Sequence, residues 1–404
     1  VARTLPVYAV EVAWTRAQTG VAVVGTATVG GAGVVAGAFS NFTFAAVTAD
    51  VQSVEITRGR TDDQSQMAAG RCRIVLTDTT GKYNPQNAGS PLAPDVLPMR
   101  PIRVRATHNS LTYGLFFGWI TRLEHDPSRT AKTTVIEAED VFGWLSRLRP
   151  SIALGQTTVG AAVGALLDAC NMTDPAFRSL DAGHGVPFVV SDSSTDTSAL
   201  QVIQNLLAAD MGVFFVDGAG VATYRSAATR YAPGAVDDTL TAALIGDARP
   251  SADAERVRNG FTVQRAGGVP QQAFDPVGRD YTAYGPRDAP PLTTPYLWDD
   301  ETAANLAAFK VLLYKDPEAP ARRVRLANRD DALIVKQLTR DLGDRVTVTE
   351  TLGGTSFTGF VEGVRHRIWG AGRFHEAEFT VVERRFDFAT VGSSAVGSAH
   401  VVGY

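Results

Sequence analysis

GWITRLEH (118–125) returns 241 residues later as GFVEGVRH (359–366). Both octets open on a glycine followed by an aromatic residue, and both close on histidine. The flanking segments repeat in the same order. RVRAT (103–107) precedes the first octet, and RVTVT (345–349), offset by 242, precedes the second. TTVIEAED (133–140) follows the first, and EFTVVER (378–384) follows the second. Further out, RCRIVL (71–76) matches RRVRL (322–326), and VEITRG (54–59) matches FTVQRAG (261–267). Five strand-like segments in one order read as an internal duplication. Glycine inside a strand marks a bulge or a tight bend at a barrel corner, which is the role expected of Gly118 and Gly359.

The segments themselves read as half-buried antiparallel strands. In SVEITRG (53–59), Val54 and Ile56 share one face while Glu55 and Thr57 share the other. In PIRVRAT (101–107), Ile102, Val104 and Ala106 point inward, and Arg103 and Arg105 outward. The stretch 78–98 is loop chemistry, rich in Asn, Gly and Pro. It mimics a calcium loop, but Asp78 is its only acid before Asp95, too few for that site.

The middle of the chain changes texture. Residues 157–170 predict a helix capped by Thr157 or Thr158, and 196–210 a second one stopped at Gly212. A hairpin follows, with Asp217-Gly218 at its turn. Two further helices are expected at 299–315 and 329–340, the first behind an acidic start. The expected fold class is mainly β with an α+β insert: two similar β-barrel-like tube domains flanking a small α+β module. The division is 1–150 for the first tube domain, 151–235 for the module, 236–385 for the second tube domain and 386–404 for an extended C-terminal arm. The uncharged stretch Ala17–Ala49 is broken by glycines at 20, 25, 30, 31, 33 and 37, which makes it a glycine-rich hairpin or loop rather than a membrane span.

Composition excludes several classes. Hydrophobic residues make up 45% of the 404, enough for a real core, and the net charge is −4, the wrong sign for a dedicated nucleic-acid binder. Two cysteines exclude a disulfide scaffold and a four-cysteine zinc site; Cys72 and Cys170 read as buried apolar thiols. The start of the chain lacks the three-part pattern of a secretory signal, so a soluble protein is expected.

No catalytic constellation stands out. There is no Gly-x-Ser-x-Gly elbow, no His-Glu-x-x-His, no phosphate loop and no Cys-x-x-Cys. His125 and His366 hold equivalent places in the two repeats, a structural habit rather than a metal pair. Glu124 with Asp126, and Asp299, Asp300 and Glu301, are the carboxylate groups a glycosidase reading would need. The first sits at a strand end and the second at a helix start. No catalytic, cofactor-binding or metal-ligating residue is assigned, no cofactor is implied, and the chain reads as a non-enzyme. Arg58, Arg60, Arg71, Arg73, Arg103 and Arg105 form a strand-borne row suited to a subunit contact. Trp144, Trp298 and Trp369 are the exposed aromatic candidates, while Trp14 and Trp119 read as core.

The order of these features resembles the minor tail proteins of long-tailed phages of actinobacteria. The resemblance rests on Arg58-Gly59-Arg60, Ala69-Gly70, Asp78 to Gly81 with Tyr83 and Pro85, and Met99-Arg100-Pro101. The stretch ALQVIQNLLAADMGVFFVDGAGVATYRS (199–226) and the later LGDRVTVTE and FTGFVEGVRHRI are similar too. Ala17–Ala49 departs from it. The resemblance implies a tail-tip or baseplate hub at the distal end of the virion's tail. Such a hub is a homotrimer whose two domains per chain present six equivalent surfaces to a tail tube ring or distal tail protein. It seats the tape-measure protein and receptor-binding parts and gives DNA passage through a neutral-to-acidic lumen, with no sequence-specific nucleic-acid binding and no stable membrane insertion. Residues 386–404 would dock on a neighbouring subunit. The competing expectations are the hub of a gene-transfer or contractile injection particle, and a carbohydrate-binding or cell-wall-degrading tail component.

Overall fold

The computed structural model describes residues 4–15, 42–61, 65–128, 132–194, 196–232, 234–241, 256–316, 322–350, 355–383, 387–388 and 400–401. Most of the glycine-rich stretch and of the C-terminal arm lies outside them. The fold is mainly β with helical segments, as expected.

The main sheet is built from β1 (Val7–Val12), β2 (Val51–Gly59), β3 (Ala68–Thr77), β4 (Pro101–His108), β5 (Leu111–Asp126), β6 (Thr133–Glu139), β7 (Asp238–Thr241), β8 (Arg322–Ala327), β9 (Arg345–Glu350), β10 (Thr355–Trp369) and β11 (Phe374–Glu383). With the pair Ala45–Ala46 these make one twelve-stranded sheet. Its order is β7-β9-β10-β2-β3-β6-β5-β4-β1, and β11 branches from β10 to carry β8. The neighbour order β4-β5-β6-β3 therefore recurs as β9-β10-β11-β8. Four of the five matched segments stand in equivalent places. The fifth does not: 54–59 is β2 of the main sheet, whereas Gly260–Arg265 belongs to a separate three-stranded sheet.

The repeat extends to irregularities of the backbone. Ladder register shifts between Ile120 and Arg122 on β5, and between Val361 and Gly363 on β10. Each shift is a bulge, at Thr121 and at Glu362. Three residues before it stand Gly118 and Gly359. A Cβ at Gly118 would overlap the carbonyl oxygen of Glu139, and one at Gly359 that of Val382. Close backbone approach, not the bulge itself, is what requires glycine there.

Each lobe has its own apolar core. Ile56, Ile74, Ile102, Val104, Phe116, Ile120 and Ile136 fill the first, with Ile334 and Leu338 of α6 (Asp331–Thr339) packed in from the other half of the chain. Val324, Leu326, Val346, Val348, Val361 and Phe379 fill the second, with Val213 and Phe215 from the hairpin 213–225. The third core belongs to the module. It joins α1 (Val141–Leu145), α2 (Val159–Ala169) and α3 (Ala199–Asp210) to Phe261, Val263 and α5 (Asp300–Tyr314). Phe261, Val263, Tyr296, Leu297 and part of α5, all within the expected segment 236–385, pack in this core.

Local details follow capping chemistry. Thr158, Ser198, Asp299 and Asp330 cap α2, α3, α5 and α6 through side-chain oxygens. The stop of α3 is Met211, left-handed at φ 56°, rather than Gly212. The hairpin turn spans Asp217–Val221: the Asp217 carboxylate accepts from the amides of Ala219 and Val221, and Gly220 takes the positive φ. The short α4 (Ala227–Arg230) follows.

Candidate functional site

The two lobes meet where β2 pairs with residues 363–369 of β10. Alternation along β2 puts Val54, Ile56 and Arg58 on the inward face. Arg58 is thus buried, donating to the Val216 carbonyl at 3.1 Å and lying 2.7 Å from Asp341. It does not belong to the outward arginine row. Arg60, just past the strand, turns to Glu362 on the β10 bulge: its backbone amide donates to the Glu362 carbonyl at 2.7 Å, and its Nε to the carboxylate at 2.7 Å. Arg230, at the end of α4, reaches the same carboxylate. Burial pushes the Glu362 carboxyl up, but Arg230 and Arg60 more than offset it and hold it at about 2. One buried acid thus ties β2, α4 and β10 together. Arg345 braces the adjoining turn, donating to the carbonyls of Ala232 and Gly234 at 2.8 Å each.

The outward face of the sheet carries the rest of the charge. Glu376 faces Arg367, Arg367 faces Glu55, Glu55 faces Arg73, Arg73 faces Glu137, and Glu137 faces Arg122, each pair in direct register. This row crosses six strands, β11-β10-β2-β3-β6-β5, and changes sign at every step. A second row runs Arg325–Glu378–Arg365, then Thr57, then Arg71–Glu139. Arg365 pairs with Glu55, and its hydrogen bond holds that carboxyl below the usual range. Arg325 lies 2.8 Å from Glu376 and 2.9 Å from Glu378. On β1 and β4, Glu11 is clasped by Arg103 at 2.8 Å and Arg105 at 2.7 Å. Opposed charges on facing strands favour this register over a slipped one.

The other expected residues fall into structural places. Cys72 and Cys170 are buried, and burial pushes the Cys170 thiol up to about 11. His125 lies on the inward side of β5, its Nδ1 2.9 Å from the Thr134 hydroxyl and 3.2 Å from Asp78. His366 meets a partner that sequence reasoning missed: its Nδ1 is 2.9 Å from His375 Nε2, both rings buried. They occupy inward positions of β10 and β11 on either side of a hairpin, a signal the strand alternation carried. His184 and Tyr224 both bond the Asp210 carboxylate, at 2.8 and 2.5 Å. The remaining ring nitrogen of His184 is buried without a hydrogen-bond partner among the described residues. Among the described residues no group of three His, Cys, Asp or Glu is placed to hold a metal ion. Trp14 and Trp119 are core, as expected. Trp298 is exposed; Trp369 stacks on Phe374 at the tip of the β10–β11 hairpin, also exposed. Trp144 is not exposed but packs against the module core beside Trp119.

No protein-family model and no curated protein matches the chain. Solved structures do. The fold is similar to a tail protein from Neisseria meningitidis MC58 over 94% of this chain and 97% of that one, at 11% identity and a TM-score of 0.59. It is similar to the 43 kDa tail protein of prophage MuSo2 from Shewanella oneidensis over 84% of this chain and 94% of that one, at 12% identity and a TM-score of 0.55. At these identities the likeness shows a shared fold, spanning nearly the whole length of both tail proteins.

Proposed function

We propose that the chain is a structural, non-enzymatic hub of a phage tail tip or baseplate, of the kind seen in minor tail proteins of long-tailed actinobacteriophages. Three copies form a ring at the distal end of the tail tube. The ring seats the tape-measure protein and other tip proteins and gives DNA a way through.

The open strand edges are the observation that carries this reading. In the junction, β2 covers the 363–369 edge of β10 and the outer edge of β3. Each has a counterpart in the opposite lobe, Arg122–Asp126 of β5 and the outer edge of β8, and neither counterpart has a strand against it among the described residues. Open edges invite pairing. Two unlike open edges, one on each lobe, suit a head-to-tail contact between copies, and such contacts close into rings. The tail-protein fold supports the same reading. Three chains of two lobes each offer six similar surfaces to a six-fold tube.

The mass of the assembled species by light scattering tests the proposal. A species of three chains is expected. A protein that stays monomeric when mixed with tail tube or distal tail protein contradicts it.

A further inference from the structure

We infer that the cavity between α3, α5 and the junction of the lobes binds a single-chain anionic amphiphile, a fatty acid, with its carboxylate on Lys310 and its apolar chain along α3.

The cavity has a volume of about 440 Å³, which lies in the range of small-ligand sites. One wall is a stripe of α3. Leu200, Ile203, Leu207 and the cap residue Met211 line it, spaced three or four residues apart. Val202, Leu206 and Ala209 already pack in the module's core. The helix is thus apolar on two faces, and Leu200, Leu207 and Met211 on the second face stay half-buried. A helix with one face in the core ordinarily turns polar residues away from it. Phe261 and Tyr314 also line the cavity and extend its apolar surface.

The charge around the cavity decides the head group. Arg60, Arg230, Arg258 and Lys310 line it, and among the described residues no Asp or Glu does. The chain as a whole carries more acids than bases, 42 against 38, so composition does not account for this local excess. Arg60 and Arg230 are engaged by Glu362. Arg258 donates to the Val257 carbonyl at 2.8 Å. Lys310 makes no hydrogen bond or ion pair among the described residues. Its Nζ stands 6.0 Å from the centre of the Phe261 ring, and burial pushes the amine down to about 8. A desolvated amine without a counter-charge costs stability. A carboxylate that arrives with a ligand supplies the counter-charge. Lysine is a compact point charge, and one such charge left uncommitted suits one monoanion.

Calorimetric titration of the purified full chain with laurate tests the inference. One laurate should bind per chain. Dodecyltrimethylammonium, with a chain of the same length and the opposite charge, should bind at least about tenfold more weakly. Shortening the ligand to decanoate should cost about tenfold in affinity. Lys310→Met keeps the apolar stem and should weaken laurate at least about tenfold. The same variant should melt at a higher temperature than wild type, the reverse of what loss of a structural contact does. Gln204→Trp, which fills the cavity from α3, should abolish binding. Lys132→Met, at an exposed lysine that does not line the cavity, should leave binding unchanged. Equal affinity for the cationic amphiphile, or laurate binding unaffected by both Lys310→Met and Gln204→Trp, would overturn the inference. Failure of laurate to bind the wild-type chain would overturn it too and leave the cavity to a protein segment.

Discussion

Glu362 occupies on β10 the bulge that Thr121 occupies on β5. The backbone is the same at both places and the chemistry differs. Thr121 spends its hydroxyl on the facing strand, donating to the Glu137 carbonyl at 3.1 Å. Glu362 reaches outward to Arg60 and Arg230 and fastens the first lobe and α4 to the second. One lobe thus has its edge closed within the chain, while the matching edge of the other, Arg122–Asp126, has no strand against it among the described residues.

Replacing Glu362 with Gln removes a fully buried carboxylate from its ion pairs with Arg60 and Arg230. The expected loss is about 3–5 kcal/mol, read from urea unfolding of the purified chain. The carboxyl sits at about 2 in the folded protein, against 4.5 as its ordinary value. Its stabilising effect is therefore complete above about pH 5 and fades as pH falls toward 2. The Gln variant should lack that part of the acid sensitivity.

The His366–His375 pair makes a prediction in a higher pH window. Burial pushes both rings down, His375 to about 3, against an ordinary 6.5. Unfolding lets them take up protons, so stability contributed by the neutral pair is full above pH 6.5 and falls as the solution is acidified. Asp140 acts with the opposite sign, since burial raises its carboxyl to about 7. The informative quantity is thus the difference between wild type and His375→Phe. Between pH 6.5 and 5 that difference should shift in the variant's favour by about 2 kcal/mol. A difference independent of pH would contradict the neutral buried ring.

Gly118→Ala and Gly359→Ala should each destabilise, by about 1–3 kcal/mol, because each Cβ meets a carbonyl oxygen of the facing strand. Similar thermal shifts for the two variants are expected from equivalent sites. A large effect at one and none at the other would deny the equivalence.

Hydrogen exchange checks the open edge. Amides of Arg122–Asp126 that point away from β6 should exchange fast in the isolated chain and slow down on assembly. Those of 363–369, already paired on both sides, should be protected throughout.

The strands were legible because period-two alternation is local. Their partners were not, because pairing is a long-range property. The match of Arg103 to Arg345 shows the limit. Gly118 pairs with Ile102, while Gly359 pairs with Val346. Ile102 and Val346 are therefore the equivalent residues, two places off the sequence match. A two-residue shift keeps every side chain on its own face, so pattern alone cannot detect it. Arg58 was the opposite case. The alternation that placed Glu55 and Thr57 outward already placed Arg58 inward, against the habit of reading arginine as surface. The charge rows needed both kinds of information. Each Glu or Arg was visibly outward, but only the order β11-β10-β2-β3-β6-β5 lines them up by sign. Position in the chain gave no sign that Phe261, Val263 and Leu306 pack with α2 and α3, because that contact too is long-range.

The most direct test of the hub is the symmetry of tail tips containing this protein, determined by electron cryo-microscopy. The account predicts three-fold density in which two similar β-lobes per chain alternate around a channel. A monomer or dimer without a channel would contradict it.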